Sequence, residues 1–167
     1  PARSEMCIRD RTTGTTDLHT QVERDFARFL GYEDAVFFSA GFMANAGMLQ
    51  ALAGPGTLIV SDERSHASII DGCRLAKAQG ATVRVSRHRD PAHVDELLRG
   101  HSGAAIVVTD GLFSMDGTLA PVPELLAVCR ARGAALMVDD AHGTGTLGAT
   151  GRGITEHFSL IDDHPDI

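Results

Sequence analysis

The chain has 167 residues, of which 43% are hydrophobic and 22% are charged, a composition typical of one globular domain. Its formal net charge is −7 and it has no basic cluster, which argues against a nucleic-acid partner, and no apolar run is long enough to cross a bilayer. No signal-peptide pattern is present, so we expect a cytoplasmic protein without a membrane partner. Lys77 is the only lysine, so any chemistry that needs a lysine must use it or lie outside this chain.

Helices and strands are predicted to alternate along most of the chain. Apolar residues recur at three- and four-residue steps from Asp17 until Gly31 ends the first helix. The predicted elements are helix 17–30, strand 35–38, helix 41–53, strand 57–60, helix 65–79, strand 82–86, helix 91–99, strand 104–109, loop 110–119, helix 121–132 and strand 134–138. This alternation is typical of an α/β fold with a mostly parallel sheet flanked by helices. The tail, residues 154–167, has no predicted element, so the domain is expected to be incomplete.

The most informative segment follows the last predicted strand. Its apolar residues end in Asp139, Asp140 and His142, before a glycine-rich turn. Ligands of open α/β sheets bind beyond the carboxyl ends of the strands, and a buried acid there needs a compensating group. Asp139 is therefore expected to hold a cationic ring nitrogen of a cofactor, with His142 further along the pocket wall. The alternative is an acid paired with an arginine beside a solvated histidine.

Three other strand-to-helix junctions carry residues suited to ligand binding. Gly41 and Phe42 open a helix whose free backbone N–H groups suit a phosphate, although the same turn is also an ordinary helix start. His66 could stack on a ring, or Ser65 could simply cap the helix beside a solvated histidine. Ser114 lies in a loop that is either a pocket wall or a simple type I turn.

The remaining histidines receive no predicted chemical role. His19 lies beside the apolar face of the first helix and is expected either to be a buried structural residue or to reach the pocket. The others occupy polar stretches in which exposure is the default: His88, His93, His101, His157 and His164.

Six short strings form an ordered set from about residue 12 to residue 153. They are Gly14-Thr15-Thr16 with His19 and Glu23, Ser39-Ala40-Gly41-Phe42 with Asn45, Ser65-His66-Ala67-Ser68, Phe113-Ser114-Met115-Asp116-Gly117, Asp139-Asp140-Ala141-His142-Gly143-Thr144-Gly145, and Gly151-Arg152-Gly153. Each string is weak alone, but their order and spacing are specific. The set resembles the α-oxoamine synthase family of pyridoxal-phosphate enzymes, which implies an aspartate aminotransferase-like (fold type I) large domain.

The resemblance also implies roles for the candidate residues. Asp139 would pair with the pyridinium nitrogen of pyridoxal 5'-phosphate (PLP) and keep the ring an electron sink. His142 and Ser114 would hydrogen-bond the phenolic oxygen of the ring. His66 would stack over the ring and help to position the substrate, and residues 41–42 would offer backbone groups to the cofactor. No metal is implied.

The implied reaction condenses an amino acid with an acyl thioester, with loss of carbon dioxide. The thioester would be acyl-CoA or an acyl-carrier protein, and the enzyme would be a homodimer. Family members that join L-alanine to a pimeloyl thioester in biotin synthesis are favoured by the Gly-Thr-Thr string, by Ser65 and by the run over 139–145. Members that acetylate glycine are the alternative, because Ile69-Ile70-Asp71-Gly72 resembles their pattern.

The chain departs from the family pattern in several places. Residues 1–11 do not match the usual lead-in, so the expected division is an unmatched segment over 1–11 and a partial PLP-binding large domain over 12–167. The lysine that forms the Schiff base, in a Ser/Thr-x-x-Lys segment, and the small domain are expected beyond Ile167; Lys77 has no such context. Asp110 stands where many members carry glutamate. We therefore expect an internal fragment that cannot catalyse the reaction alone.

Two alternatives belong to other functional classes. A non-catalytic, lysine-free partner subunit of the same fold is one, although the retention of His66, Asp139 and His142 argues against it. A metal-dependent hydrolase is the other, with a divalent ion held by those three residues together with Asp62 and Asp140. No His-x-x-x-His pair supports the second alternative.

Overall fold

The computed structural model describes residues 15–167, which fall into two compact units divided after Phe38. The first unit contains helix α1 (Asp17–Leu30). Thr16 and His19 cap α1 with a reciprocal pair of hydrogen bonds, and Gly31 ends it at a left-handed φ of 90°. The ring of His19 lies 5.6 Å from that of Phe37. His19 is half-buried and helps to cap the helix; it is not the fully buried structural residue that was one of its two expected roles.

The strand predicted over residues 35–38 is not formed, and these residues are irregular. The N–H of Phe37 donates to the side-chain Oε1 of Glu23 at 2.9 Å rather than to a strand. Val36 is 67% exposed. The prediction was wrong because a short apolar run becomes a strand only beside a sheet, and the described part of this unit contains no strand.

The second unit alternates strands and helices as predicted. Its elements are α2 (Gly41–Leu52), β1 (Leu58–Asp62), α3 (Ala67–Ala78), β2 (Thr82–Ser86), α4 (Pro91–Leu98), β3 (Ala105–Asp110), β4 (Leu112–Phe113), β5 (Thr118–Leu119), α5 (Val122–Arg132), β6 (Ala135–Asp139) and α6 (Ile154–His157). The loop predicted over 110–119 contains the small antiparallel hairpin of β4 and β5. Within the described residues, no helix has both the length and the apolar character needed to span a membrane.

Four parallel strands form the main sheet, in the order β2-β1-β3-β6. Strands β1 and β3 are buried along their whole length, as central strands of a parallel sheet must be. Alternate residues of each strand face opposite sides, so Leu58 and Val60 pack against α4 and α5, whereas Ile59 packs against α2 and α3. The predicted α/β architecture is confirmed.

The order of the strands places a topological switch point between β1 and β3. The helix that follows β1 (α3) packs on one face of the sheet, and the helices that follow β2 and β3 pack on the other. The loops after β1 and β3 therefore diverge and leave a crevice at the carboxyl ends of the strands. Open α/β sheets bind their ligands in such a crevice.

The tail was predicted to lack regular structure, and this is wrong in part. Residues 154–157 form the short helix α6, and the last residues lie along the outer edge of β6. There the N–H groups of Asp166 and Ile167 donate to the carbonyl of Leu136, and the carbonyl of Ile167 accepts from Val138. The side chain of Asp166 adds one more bond, because its Oδ2 accepts from the N–H of Leu136 at 2.8 Å. The pairing is otherwise made by backbone groups, so the sequence shows no apolar periodicity that would predict it.

Candidate functional site

Acidic side chains line the carboxyl edge of the sheet. Strands β1, β3 and β6 end at Asp62, Asp110 and Asp139, and the strand register places Asp110 beside Asp139. Asp140 follows directly. Burial raises the pKa of Asp110 and of Asp140, and the negative charge of Asp139 raises both further. Within residues 15–167, neither these two acids nor Asp139 forms an ion pair with an arginine or lysine.

Two hydrogen bonds from uncharged groups hold the half-buried carboxylate of Asp139. Its Oδ2 accepts from Nδ2 of Asn45 at 2.6 Å, and its Oδ1 accepts from the N–H of Ala141 at 3.0 Å. Asn45 is 5% exposed and lies on α2, one turn after Gly41. The carboxylate is therefore fixed in orientation while its charge has no cationic partner in the described part of the chain.

The same network reaches His66. Nδ2 of Asn45 also donates to Oγ of Ser68 at 2.9 Å, and that oxygen lies 2.7 Å from Nδ1 of His66. The N–H of Ser68 also donates to Nδ1, because His66 is the N-cap of α3. The backbone N–H of His66 donates to Asp110 at 2.9 Å. Nδ1 is thus an acceptor, which assigns the proton of the neutral ring to Nε2.

A cavity of about 480 Å³ opens at the switch point, between the loop after β1 and the loop after β3. His66 and Ser114 line it together, so the structure brings these two predicted residues to one cavity. The full lining is Arg64, Ser65, His66, Ala67, Asp110, Phe113, Ser114, Met115 and Asp116. Arg64 and Asp116 form an ion pair at its mouth.

The other predicted site residues, Gly41, Phe42 and His142, are exposed. Gly41 and Phe42 start α2, and Ala40 provides no side-chain cap for their N–H groups. A Cβ built on Gly41 would meet no atom within 4 Å, so space beside the helix start is open. His142 is exposed, and its ring makes no hydrogen bond within the described residues. The structure therefore joins His66 to Asp139, but does not join His142 to them.

Asp140 occupies a separate niche. Its Oδ2 accepts from the N–H of Ile154 at 2.9 Å and from the hydroxyl of Thr144 at 3.2 Å, which fastens the loop that carries His142. A Cβ at Gly111 would lie 2.7 Å from its Oδ1. A Cβ at Gly143 or Gly153 would also overlap the carboxylate. Glycines are needed at these positions because the acid fills the space.

Two features of the site escaped sequence reasoning about single residues. Asn45 and Ser68 belong to the matching strings, but the sequence predicts no role for either residue. An asparagine on an apolar helix could have been recognised, because a buried amide needs a specific hydrogen-bond partner. His88 was expected to be exposed, and this is wrong: its side chain is 14% exposed and lies 2.9 Å from Asp62. The polar stretch around His88 hides a contact that depends on tertiary structure.

Lys77 lies away from the candidate site. It lines a second cavity of about 300 Å³ between α3 and β2, together with Cys73 and Arg74. The two cavities share no lining residue. Among the residues that the structure describes, no group of three or more His, Cys, Asp or Glu side chains is arranged to hold a metal ion.

Comparisons with known proteins place this geometry in context. The family model for aminotransferases of class I and II matches residues 5–167. A curated 8-amino-7-oxononanoate synthase of Geobacter sulfurreducens is 50% identical over 153 residues, which cover 90% of this chain and 38% of that protein.

Two solved structures are also similar to the chain. A serine palmitoyltransferase from S. paucimobilis with a bound PLP–myriocin aldimine has a TM-score of 0.82 and 39% identity, covering 89% of this chain and 37% of that one. An 8-amino-7-oxononanoate synthase from Francisella tularensis has a TM-score of 0.74 and 35% identity, covering 87% of this chain and 41% of that one. The chain spans about two fifths of the length of each relative.

Proposed function

This chain belongs to the aminotransferase class I and II family, and we propose that the protein containing it is a PLP-dependent acyltransferase. The proposed reaction condenses an amino acid with an acyl thioester and releases carbon dioxide. In its most specific form the proposal is 8-amino-7-oxononanoate synthase, which joins L-alanine to a pimeloyl thioester in biotin synthesis. The 50% identity to the Geobacter sulfurreducens synthase supports this form.

One observation carries the proposal: Asn45 orients Asp139 beside Asp110 and Asp140, and none of these three acids pairs with an arginine or lysine within residues 15–167. A half-buried carboxylate that is held in one orientation, with no arginine or lysine partner, is suited to bind a cation from outside this part of the chain. A protonated pyridine nitrogen is such a cation. The open space beside Gly41 leaves room for a ligand to approach the start of α2. The donor set thus fits PLP.

The proposed cofactor-binding residues would contact different parts of PLP. Asp139 would hold the ring nitrogen in its protonated form, and the N–H groups of Gly41 and Phe42 would face the phosphate, where the helix dipole favours an anion. Ser114 and His142 would hydrogen-bond the phenolic oxygen. When bound, PLP supplies an electron sink that stabilises negative charge on the α-carbon of the amino acid.

His66 is the proposed catalytic and substrate-positioning residue, together with Asp139 and His142. Because Nδ1 accepts hydrogen bonds from Ser68, Nε2–H of the neutral ring is left to donate to a substrate oxygen. The hydrogen bond from the N–H of His66 to Asp110 fixes the start of α3 at the cavity wall. The position of this imidazole is therefore set before substrate arrives, which lowers the entropic cost of orientation.

The alternative amino acid, glycine, rested on the string Ile69–Gly72. Ile69 is fully buried, and a Cβ at Gly72 would lie 2.9 Å from Cδ1 of Leu49 and 3.0 Å from the carbonyl of Asn45. Ile69 and Gly72 therefore serve the packing of α3 on α2, and these two residues give no support to glycine over alanine. A non-catalytic subunit would have no use for an oriented acid without a cation, which favours the catalytic proposal.

The proposal includes partners and a location. The substrates are an amino acid and an acyl-CoA or acyl-carrier-protein thioester, the assembly is a homodimer, and the enzyme works in the cytoplasm. We also propose that residues 12–167 are part of the PLP-binding large domain and that residues 1–11 lie outside it. Residues 1–11 are outside the described part of the structure.

The test is an assay of the protein that contains this chain, loaded with PLP. Thiol release and product mass are measured with L-alanine and a pimeloyl thioester, presented on CoA or on a carrier protein, and with glycine and acetyl-CoA. We expect the alanine pair to be faster by roughly tenfold or more, the scale of discrimination for one methyl group and a mismatched chain. A faster glycine pair would establish the alternative. Binding of PLP without thiol release from either pair would refute the acyltransferase.

A further inference from the structure

His88 occupies a half-buried position between the end of β1 and the β4–β5 hairpin. Its side chain is 14% exposed and that of Asp62 is 7% exposed. Nδ1 of His88 lies 2.9 Å from Oδ1 of Asp62. A carboxylate can only accept, so Nδ1 carries a proton and donates, while Nε2 lies 3.4 Å from the hydroxyl oxygen of Thr118.

The imidazole also contacts the other strand of the hairpin. Its ring meets that of Phe113 edge-on, with centroids 4.5 Å apart and an interplanar angle of 84°. Phe113 and Thr118 are paired directly across the hairpin. The His88 side chain therefore contacts both residues of one cross-strand pair of the hairpin and connects that pair to Asp62, the last residue of β1.

The backbone around His88 is arranged for this contact. The N–H of Arg89 donates to Oδ2 of Asp62 at 2.8 Å, although Arg89 has a φ of 54°, in the region that residues with a side chain rarely adopt. The N–H of His88 donates to Oε1 of Glu63 at 3.0 Å. A strained backbone conformation persists where its surroundings hold it. Here it directs both the His88 ring and the N–H of Arg89 towards the carboxylate of Asp62.

The turn of this hairpin carries Ser114 into the cavity that His66 lines. We propose that His88 is a positioning residue that fixes the hairpin against β1 and so sets the place of Ser114 in the cavity. The fixing of the hairpin is independent of the proposed function. The consequence for PLP rests on that function, because it requires Ser114 to contact the cofactor.

The first measurement is amide hydrogen exchange of the cofactor-free protein that contains this chain. Two amides report on the hairpin. The N–H of Gly117 donates to the carbonyl of Phe113 at 2.8 Å, and the N–H of Ala120 donates to the carbonyl of Gly111 at 2.9 Å. In His88→Ala we expect exchange to accelerate by roughly tenfold or more, the ratio for a lost hydrogen bond to a charged group. His88→Asn keeps a donor for Asp62 and should restore part of the protection. Unchanged exchange in His88→Ala would overturn the proposal.

Controls separate this effect from general destabilisation. His101→Ala removes a histidine before β3, at the opposite end of the sheet, whose ring contacts the carbonyl of Ala104; it should leave the two reporters unchanged. Acceleration of the reporters in His101→Ala by as much as in His88→Ala would overturn the proposal. If His88→Ala does not fold, Thr118→Val removes only the contact to Nε2, and the same acceleration, reduced in size, is expected.

The second measurement is PLP affinity and the absorption spectrum of the bound cofactor. We expect His88→Ala to weaken binding and shift the spectrum, and His88→Asn to recover both in part. A loosened hairpin with unchanged affinity and spectrum would overturn the link to Ser114. If the wild-type protein does not bind PLP, the proposed function fails, while the exchange of Gly117 and Ala120 still decides the role of His88.

Discussion

Asp139 and Asp140 are neighbours in the chain but lie in opposite surroundings. Asp139 is held by Asn45 and Ala141 at the open edge of the sheet and forms no ion pair with an arginine or lysine among the described residues. Asp140 lies in a niche formed by Gly111, Gly143 and Gly153. It accepts a hydrogen bond from the N–H of Ile154 and so anchors the loop that follows it. Identical side chains at one strand end thus differ: one lies at the open edge of the sheet, where we propose a ligand site, and the other anchors a loop.

The largest effect is expected from Asp139→Asn. If Asp139 holds the protonated ring nitrogen, its loss removes one partner of a desolvated charge pair and costs about 2–5 kcal/mol of PLP binding free energy. The free energy of unfolding of the cofactor-free protein should fall by no more than about 1 kcal/mol, because the amide oxygen can keep only one of the two hydrogen bonds. Removal of the charge, which raises the pKa values of Asp110 and Asp140, partly offsets that loss. PLP titration and urea unfolding measure the two quantities.

Asp162→Asn is the matched control, because Asp162 is exposed on the C-terminal tail. It should change neither PLP binding nor unfolding. A large loss of stability in Asp139→Asn, with cofactor affinity retained, would make Asp139 the anchor and reverse the comparison.

The next effect is expected from Gly143→Ala, which adds a methyl group where Asp140 lies. Overpacking of this kind costs about 1–3 kcal/mol of unfolding free energy. Gly54→Ala is the control, because a Cβ there meets no atom within 4 Å. Thermal unfolding of both variants tests the niche. Equal stability of the two variants would show that the loop yields and that Asp140 is no anchor.

The predicted fold depended on strong local patterns, and these determined most of it. The apolar strands that end in Asp62, Asp110 and Asp139, with helices between them, made the parallel sheet and its ligand edge predictable. His66 and Asp139 were candidates for the same reason, since both follow strand ends. The failed strand over 35–38 shows the limit of a short apolar run without a neighbouring strand.

The contacts that orient His66 and Asp139 could not be predicted from local sequence patterns, because they join segments that are distant in the chain. Asn45 and Asp139 are separated by 94 positions, and only the packing of α2 against the sheet brings them to 2.6 Å. His88 and Asp62 meet because β1 and β2 are paired, and a polar stretch gives no sign of that contact. Local periodicity reports which face of an element is buried, but not which polar group will meet it.

The pH dependence of unfolding separates the two acids in a second way. Burial raises the folded-state pKa of Asp140 above that of the unfolded chain. Its contribution to stability is therefore complete below the ordinary aspartate pKa, about 4, and is lost as the pH rises through the folded-state value. In Asp140→Asn the amide oxygen can still accept from Ile154, and no charge develops. The decline in unfolding free energy from acid to neutral pH should be smaller than in the wild type.

Urea unfolding over a pH series measures this decline, and Asp162→Asn should keep the wild-type slope. A slope in Asp140→Asn equal to that of the wild type would mean that the charge of Asp140 is already compensated in its niche. The contrast with the uncompensated edge around Asp139 would then rest on geometry alone.

The smallest effect is expected at the mouth of the cavity, where Arg64 pairs with Asp116. The two side chains are 56% and 33% exposed, so a double-mutant cycle of Arg64→Gln and Asp116→Asn should give a coupling of about 1 kcal/mol or less, weakened by salt. Neither change should alter the pKa of Asp110, which nuclear magnetic resonance titration can follow. If Arg64→Gln raised that pKa, the arginine would be a cation for the acidic edge, and the need for a cofactor cation beside Asp139 would weaken. An unchanged pKa would be consistent with the proposal that Asp139 pairs with a cofactor ring nitrogen rather than with Arg64.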